Sequence, residues 1–263
     1  MKKVSQKVYF GVIMAFLYLP IIYLIAYSFN DGKTSVWKGF TFKWYEALFN
    51  DAQIMNSLYN TLLVAVIASV VATVLGTAAA IGIYNFKGGV RSALQNISNI
   101  PIINPEIVTG VSLMLLFTFA GRLMGFEMGF WTVLLAHIGF CTPYVLLNVT
   151  PRLKRMDGSL YEAALDLGCS PMQAFRKVVL HELMPGILSG FLISFTYSLD
   201  DFVITYFTRG SRFQTLPIQI YTMTHQRINP KANALSALMF VVIFAVLVIS
   251  NVVSSKKDKE AAR

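Results

Sequence analysis

A helix of about 20 apolar residues is the shortest that crosses a hydrocarbon core of roughly 30 Å, because in lipid each backbone N–H and C=O must be satisfied within its own segment. Six stretches meet that length: Val8 to Ser28, Thr61 to Tyr84, Ser98 to Ala120, Gly129 to Val149, Gly186 to Thr208 and Ala234 to Val253. They predict an all-α integral membrane protein with six transmembrane helices, a single membrane domain over residues 1–263. With 56% hydrophobic and only 13% charged residues, too little polar surface remains for a water-facing globule. The third stretch carries Pro101 and Pro105, so its first turns are expected to be kinked or unwound, with regular helix from about Val108. The first follows Lys2, Lys3 and Lys7 in the manner of a signal peptide, but it is too long and lacks a small-residue cleavage site; it reads as a retained span.

The chain is nonetheless basic, with 22 Lys and Arg against 13 Asp and Glu. The basic residues are not gathered among aromatics on any one segment, which argues against nucleic acid as a partner. An even number of spans puts both termini on one side. If that side is the cytoplasm, the inner segments hold fourteen Lys and Arg and the outer loops eight, as the positive-inside rule requires. Cys141 then lies in the fourth span and Cys169 in a cytoplasmic segment, where no disulfide is expected.

Catalytic constellations are missing. His137 and Cys141 stand one helical turn apart but have no third ligand, and are read as packing residues. His181-Glu182 begins like a zinc-protease motif, yet Pro185 occupies the place of the second histidine. No glycine loop ending in Lys-Ser or Lys-Thr is present to cradle a phosphate, so no nucleotide hydrolysis, metal or cofactor is expected of this chain itself. Gly76, Ala78, Ala79, Ala80 and Gly82 in the second span would let another helix approach closely.

Between spans four and five, residues 150–185 are too long a connection to be idle. Ser159 can cap a short helix with Glu162 in its first turn, and Gly168 can end it in the left-handed conformation. Ser170 and Pro171 open a second helix, on which Met172, Phe175, Val178 and Val179 recur at helical spacing. This helix-turn-helix either presents an apolar knob to a partner's groove or packs on the chain's own spans. Glu162-Ala163-Ala164, then Gly168, then Val178 and Leu180 resemble the EAA loop of permease subunits of binding-protein-dependent ABC importers, the MetI-like permeases; the pattern departs in having His181 after Leu180 and its proline only at Pro185. What the resemblance implies is a coupling helix that docks on an ATPase subunit, with Glu162, Ala163, Ala164 and Gly168 as its contact positions, and a bacterial inner-membrane location.

Of the thirteen acidic residues, Glu106 and the pair Asp200-Asp201 fall within spans, where no Lys or Arg accompanies them. A carboxylate in mid-membrane costs about 2.5–3.5 kcal/mol and marks a functional site by default. The bland alternatives are that these acids are protonated, that they bond to the hydroxyls of Ser194, Thr196 and Ser198 and to broken-helix amides, or that they reach an interface. Counting about 1.5 Å per residue from Ser98 and Gly186 offsets Glu106 and Asp200 in depth, which would suit an elongated amine better than one compact ion. Tyr197 shares a helix face with the acid pair and can offer its ring to an ammonium, or simply pack. Trp44 and Tyr45, in an aromatic first outer loop, either belong to an interfacial belt or line the outer mouth. The segments Phe42-Lys43-Trp44-Tyr45, Asn104-Pro105-Glu106-Ile107-Val108 and Ser198-Leu199-Asp200-Asp201-Phe202-Val203 look like those of the polyamine (spermidine/putrescine) branch of the same permease family. The resemblance implies cation handling by Trp44, Glu106, Ser198, Asp200 and Asp201. It also implies a second homologous permease subunit, two ATPase subunits holding ATP and Mg, and an extracytoplasmic polyamine-binding protein. The rival is an ion-gradient-driven transporter or channel for an organic cation; built from inverted repeats, it would show paired broken spans. Only the third span reads as broken.

Overall fold

The structure is a computed structural model that describes residues 2–32, 36–226 and 230–261. Lys33, Arg227 and Arg263, three of the basic residues used to orient the chain, lie outside them. The helices in order are α1 (Lys2–Tyr27), α2 (Lys43–Phe49), α3 (Ala52–Asn85), α4 (Gly88–Ile103), α5 (Glu106–Met124), α6 (Phe130–Arg155), α7 (Ser159–Asp166), α8 (Pro171–Ala174), α9 (Leu180–Asp200), α10 (Val203–Thr208), α11 (Leu216–Gln226) and α12 (Pro230–Ala261), with a π-helical stretch, Phe175–Val179, joining α8 to α9. Among the described residues six helices are long and apolar enough to cross a membrane. The all-α fold class and the six spans therefore stand, but two of their boundaries change.

The third span is α5 alone. Pro101 is accommodated inside α4, and the chain breaks at Asn104–Pro105, from which Glu106 begins a fresh helix. The residue before a proline is pushed towards extended backbone, and Asn104 has φ −70 and ψ 133. The fifth span is also broken. It starts well before Gly186, since the α8, π-helical and α9 segments run as one membrane-length helix from Pro171 to Asp200, and it stops at Asp201 before the short α10. The second helix expected between spans four and five is thus the first part of span five, and the expectation of a single broken span is replaced by two. No proline or glycine announces the second break.

The structure divides into two compact units. The first comprises Met1–Tyr59 with Thr215–Phe244. Here α1 leaves Val8, Phe16 and Leu19 uncovered, as a lipid-facing span should. Asn30 knots the loop that follows: its amide oxygen accepts from the backbone of Gly32 and Lys38, and its amide nitrogen donates to Val36 O. Lys231 pairs with Asp51 at 3.3 Å within the same unit.

The second unit comprises Asn60–Gln214 with Ala245–Arg263. Its core lies where α3, α6 and the start of α9 meet, around Ala80, Val145, Leu146, Val149, Leu153, Val179 and Leu183. Helices approach closely there because glycines face them. A β-carbon on Gly76 would lie 2.7 Å from Val145 Cβ, and one on Gly190 would lie 3.0 Å from Val145 Cα. Of the small residues in span two, Gly76 makes this approach, whereas Gly82 faces open space. Cys141 and Ser194 seal the α6–α9 seam reciprocally, each side chain donating to the other's carbonyl.

Candidate functional site

In the second unit a cleft of about 290 Å³ opens between the two helix breaks, bordered by Asn104, Glu106, Tyr144, Tyr197, Asp200 and Asp201 among others. The breaks create it. Glu106 is the first residue of α5 and Asp200 the last of α9, so each carboxylate sits at a helix end rather than within an apolar cylinder. The starting points from which their depths were counted do not hold, since Ser98 and Gly186 both lie inside helices; Glu106 and Asp200 border one cleft. Tyr144 and Tyr197 stack at 4.5 Å between ring centroids and form an aromatic wall beside them. Among the described residues no Lys or Arg borders the cleft. Two carboxylates with an aromatic face are the groups that replace water around an ammonium.

Asp201 is placed differently. Its side chain is only 6% exposed, and both oxygens are engaged. Oδ1 accepts from Ile204 N at 3.3 Å; Oδ2 accepts from Thr205 N and Thr205 Oγ1, each at 2.7 Å. From one residue before the N-cap position, which Phe202 occupies, it caps the first turn of α10 and satisfies amides that the break would otherwise orphan. Behind it stands His137, 1% exposed, with Nε2 3.4 Å from Asp201 Oδ2 and 2.9 Å from Thr205 Oγ1, and with Nδ1 2.7 Å from Ser198 Oγ. His137 is therefore no passive packing residue, as its spacing from Cys141 had suggested. Its partners lie 61 to 68 residues away, beyond any local pattern. A histidine in the middle of a membrane span was the available signal. Ser198 is buried on this network rather than in the cleft, while Ser194 and Thr196 bond to backbone carbonyls.

Trp44 belongs to the first unit. Its indole N–H donates to Asn30 O at 2.8 Å, and Lys43, ion-paired with Asp31, lies over its ring at 4.7 Å from the centroid. Tyr45 shares a 2.6 Å hydrogen bond with Ser28 and packs against Phe29.

The segment between spans four and five takes the expected order with one substitution of roles. Ser159 is the first residue of α7, and the side chain that caps its amide is Asp157, at 3.0 Å. That bond, together with the Ser159 side chain, holds the Asp157 carboxyl below the usual carboxylate range. Gly168 closes α7 at φ +85: its N–H bonds Leu165 O and that of Cys169 bonds Ala164 O, a Schellman ending. Ser170 and Gln173 form a capping box around Pro171. Ala164, Ala174 and Val179 turn inward, while Leu167 and Met172 stand 87% and 72% exposed, with Glu162 and Ala163 also at the surface. Both alternatives left by sequence are realised: Tyr161, Phe175 and Val179 pack on the core of the chain's own spans, and Leu167 and Met172 are left exposed.

Residues 72–256 match the family described as "Binding-protein-dependent transport system inner membrane component". The chain is 36% identical to the spermidine/putrescine transport system permease protein PotC of Haemophilus influenzae, over 96% of this chain and 97% of that protein. It is equally 36% identical to the putrescine transport system permease protein PotI of Escherichia coli, over 94% of this chain and 90% of that one. Among solved structures, a bacterial ABC transporter involved in import of the acidic polysaccharide alginate superposes with a TM-score of 0.71 at 17% identity, covering 96% of this chain and 95% of the other, a likeness of fold.

Proposed function

The chain belongs to the family of binding-protein-dependent transport system inner membrane components, and from that membership we propose that it is the permease subunit of an ATP-driven polyamine importer, moving spermidine or putrescine through the membrane by alternating access. The observation that carries the cargo is the cleft, where Glu106 and Asp200 face one space beside the Tyr144–Tyr197 stack with no basic side chain to neutralise them. Polyamines are flexible chains with several ammonium groups. Each carboxylate takes one ammonium, and the tyrosine faces shelter the methylenes between. The relatives named as spermidine/putrescine and putrescine permeases support the same cargo. Trp44 offers its ring to the entering amine from the first outer loop, and Ser198 acts through His137.

The subunit is non-catalytic. A second homologous permease completes the path, and two ATPase subunits that hold ATP and Mg dock on Leu167 and Met172, with Glu162, Ala163, Ala164 and Gly168 setting the shape of that knob. An extracytoplasmic binding protein delivers the polyamine, and both termini are cytoplasmic.

The test is purification of this chain from membranes with its partners, followed by reconstitution. An ATPase should co-purify, its hydrolysis should rise with polyamine-loaded binding protein, and Glu106→Gln with Asp200→Asn should abolish uptake while leaving assembly intact. Undiminished spermidine and putrescine uptake by the double variant would overturn the assignment of the cleft. A chain that transports alone, driven by an ion gradient, would overturn the ATP-driven reading.

A further inference from the structure

The proposed cargo site holds three acids by sequence, but the structure treats them unequally. We propose that His137 is a positioning residue that clamps the break in span five, fixing Asp201 as a structural anchor so that Asp200 and Glu106 alone meet the ammonium groups. This rests on the reading of the cleft as the cargo site. Asp200 and Glu106 border the cleft and are exposed, whereas Asp201 spends both oxygens on Ile204 and Thr205.

Hydrogen-bond accounting sets the protons. With Asp201 ionised, the single Thr205 hydroxyl proton goes to Asp201 Oδ2, so Thr205 Oγ1 must accept from His137 Nε2–H. A bond runs from α6 through Thr205 to the anchor carboxylate, and Ser198 on α9 meets the other ring nitrogen. One imidazole thus ties together α6, the end of α9 and the start of α10. A second tie lies one turn on, where Thr132 Oγ1 of α6 donates to Thr208 O at 2.7 Å. Phe140, edge-on to the imidazole at 5.1 Å, borders the cleft and stands between the clamp and the cargo space. A network with every member satisfied holds one arrangement. Removal of its centre leaves Thr205 and Ser198 buried without it.

The experiment separates clamp from ligand. In the reconstituted complex, Asp200→Asn should raise the KM for spermidine about tenfold, whereas Asp201→Asn should lower the maximal rate about tenfold and leave KM within about twofold. His137→Leu should behave like Asp201→Asn, and the two together should be no worse than either alone, while His137→Leu and Asp200→Asn should combine fully. His137→Gln, which keeps an N–H donor towards Thr205, should recover much of the rate. A tenfold KM increase from Asp201→Asn, adding in full to the effect of His137→Leu, would overturn the proposal.

A second arm is independent of cargo. With Cys141 and Cys169 replaced by alanine, a cysteine substituted at buried Ile204 should react slowly with a small methanethiosulfonate, and about tenfold faster once His137→Leu is added. Equal rates in the two backgrounds would overturn the clamp even if uptake of polyamines is confirmed. If the unsubstituted complex takes up no polyamine, the cargo reading fails and the labelling rates still decide the clamp.

Discussion

At Asn104–Pro105 the chain leaves one helix because Pro105 lacks an N–H and forces Asn104 into extended backbone. At Asp201–Phe202 nothing in the covalent chemistry demands a stop; a carboxylate supplies one by capping α10. The first break is exposed and held by little more than the 2.8 Å bond from Asn104 Nδ2 to Thr109 Oγ1. At the second the Asp201 side chain is buried, and its network gathers His137, Ser198 and Thr205 from three helices. One break is intrinsic to the local sequence and needs little support. The other is a tertiary structure in its own right, and it stays open only while its network is intact.

That contrast predicts unequal consequences. Asp201→Ala should be the most damaging single change: it strips the cap from two buried amides and the partner from Thr205, costing about 3 kcal/mol. The detergent-solubilised complex should melt well below the parent and transport nothing. A variant that melts with the parent would mean α10 is held by its packing alone.

Next in size is Gly110→Ala, which probes the place where the two broken spans touch. A β-carbon on Gly110 of α5 would lie 2.7 Å from Phe207 Cδ2 of α10, so the ring must swing aside. Overpacking of this kind costs about 1–2 kcal/mol. The loss should show as a lowered thermal midpoint with uptake partly retained. An unchanged midpoint would mean the Phe207 ring moves freely and the two spans are not in firm contact.

The same contrast explains what was legible in the sequence. Apolar length shows the six spans because the bilayer imposes it on each segment separately, and Pro105 shows the first break because a proline acts on its own neighbours. Gly168 and the Ser170–Gln173 pair show the helix-turn-helix after span four for a similar reason: caps are chemistry at fixed short offsets. Asp201 looked like one of two equal acids, and His137 like packing, because what distinguishes them lies across tertiary distances. Glu106 and Asp200 seemed offset in depth since residue counts measure position along a helix only when the helix starts are known. The last turns of α4, from Ser98 on, fall in the third span as read from sequence because Pro101, inside a helix, and Pro105, before the start of one, are the same letter.

Asn104→Ala tests the weakly held side of the comparison. It removes one half-buried hydrogen bond at a break that Pro105 preserves anyway, so about 0.5–1 kcal/mol is at stake. The thermal midpoint should fall less than with Gly110→Ala. A loss equal to that of Asp201→Ala would show that the proline break also depends on a side-chain network.

Asp157 supplies the smallest effect and the sharpest control, because it performs the same chemistry as Asp201 in water. Its carboxylate caps the start of α7 by accepting Ser159 N–H, and is fully exposed. Since its pKa is lowered on folding, the bond stabilises α7 above the unfolded value of about 3.9 and is lost as pH falls through the lower folded value. Solvent and salt screen such a group, and water replaces the lost bond. Asn caps a helix as well as Asp does and does not titrate. At neutral pH, Asp157→Asn should therefore leave ATPase coupling and thermal midpoint unchanged. Proteolytic cleavage within residues 157–170 should rise in the parent as pH drops below about 4, and stay level in the variant. Cleavage that rises equally in both would mean the Asp157 bond does not guard α7. A loss of coupling at neutral pH would mean that an exposed cap can matter as much as the buried one.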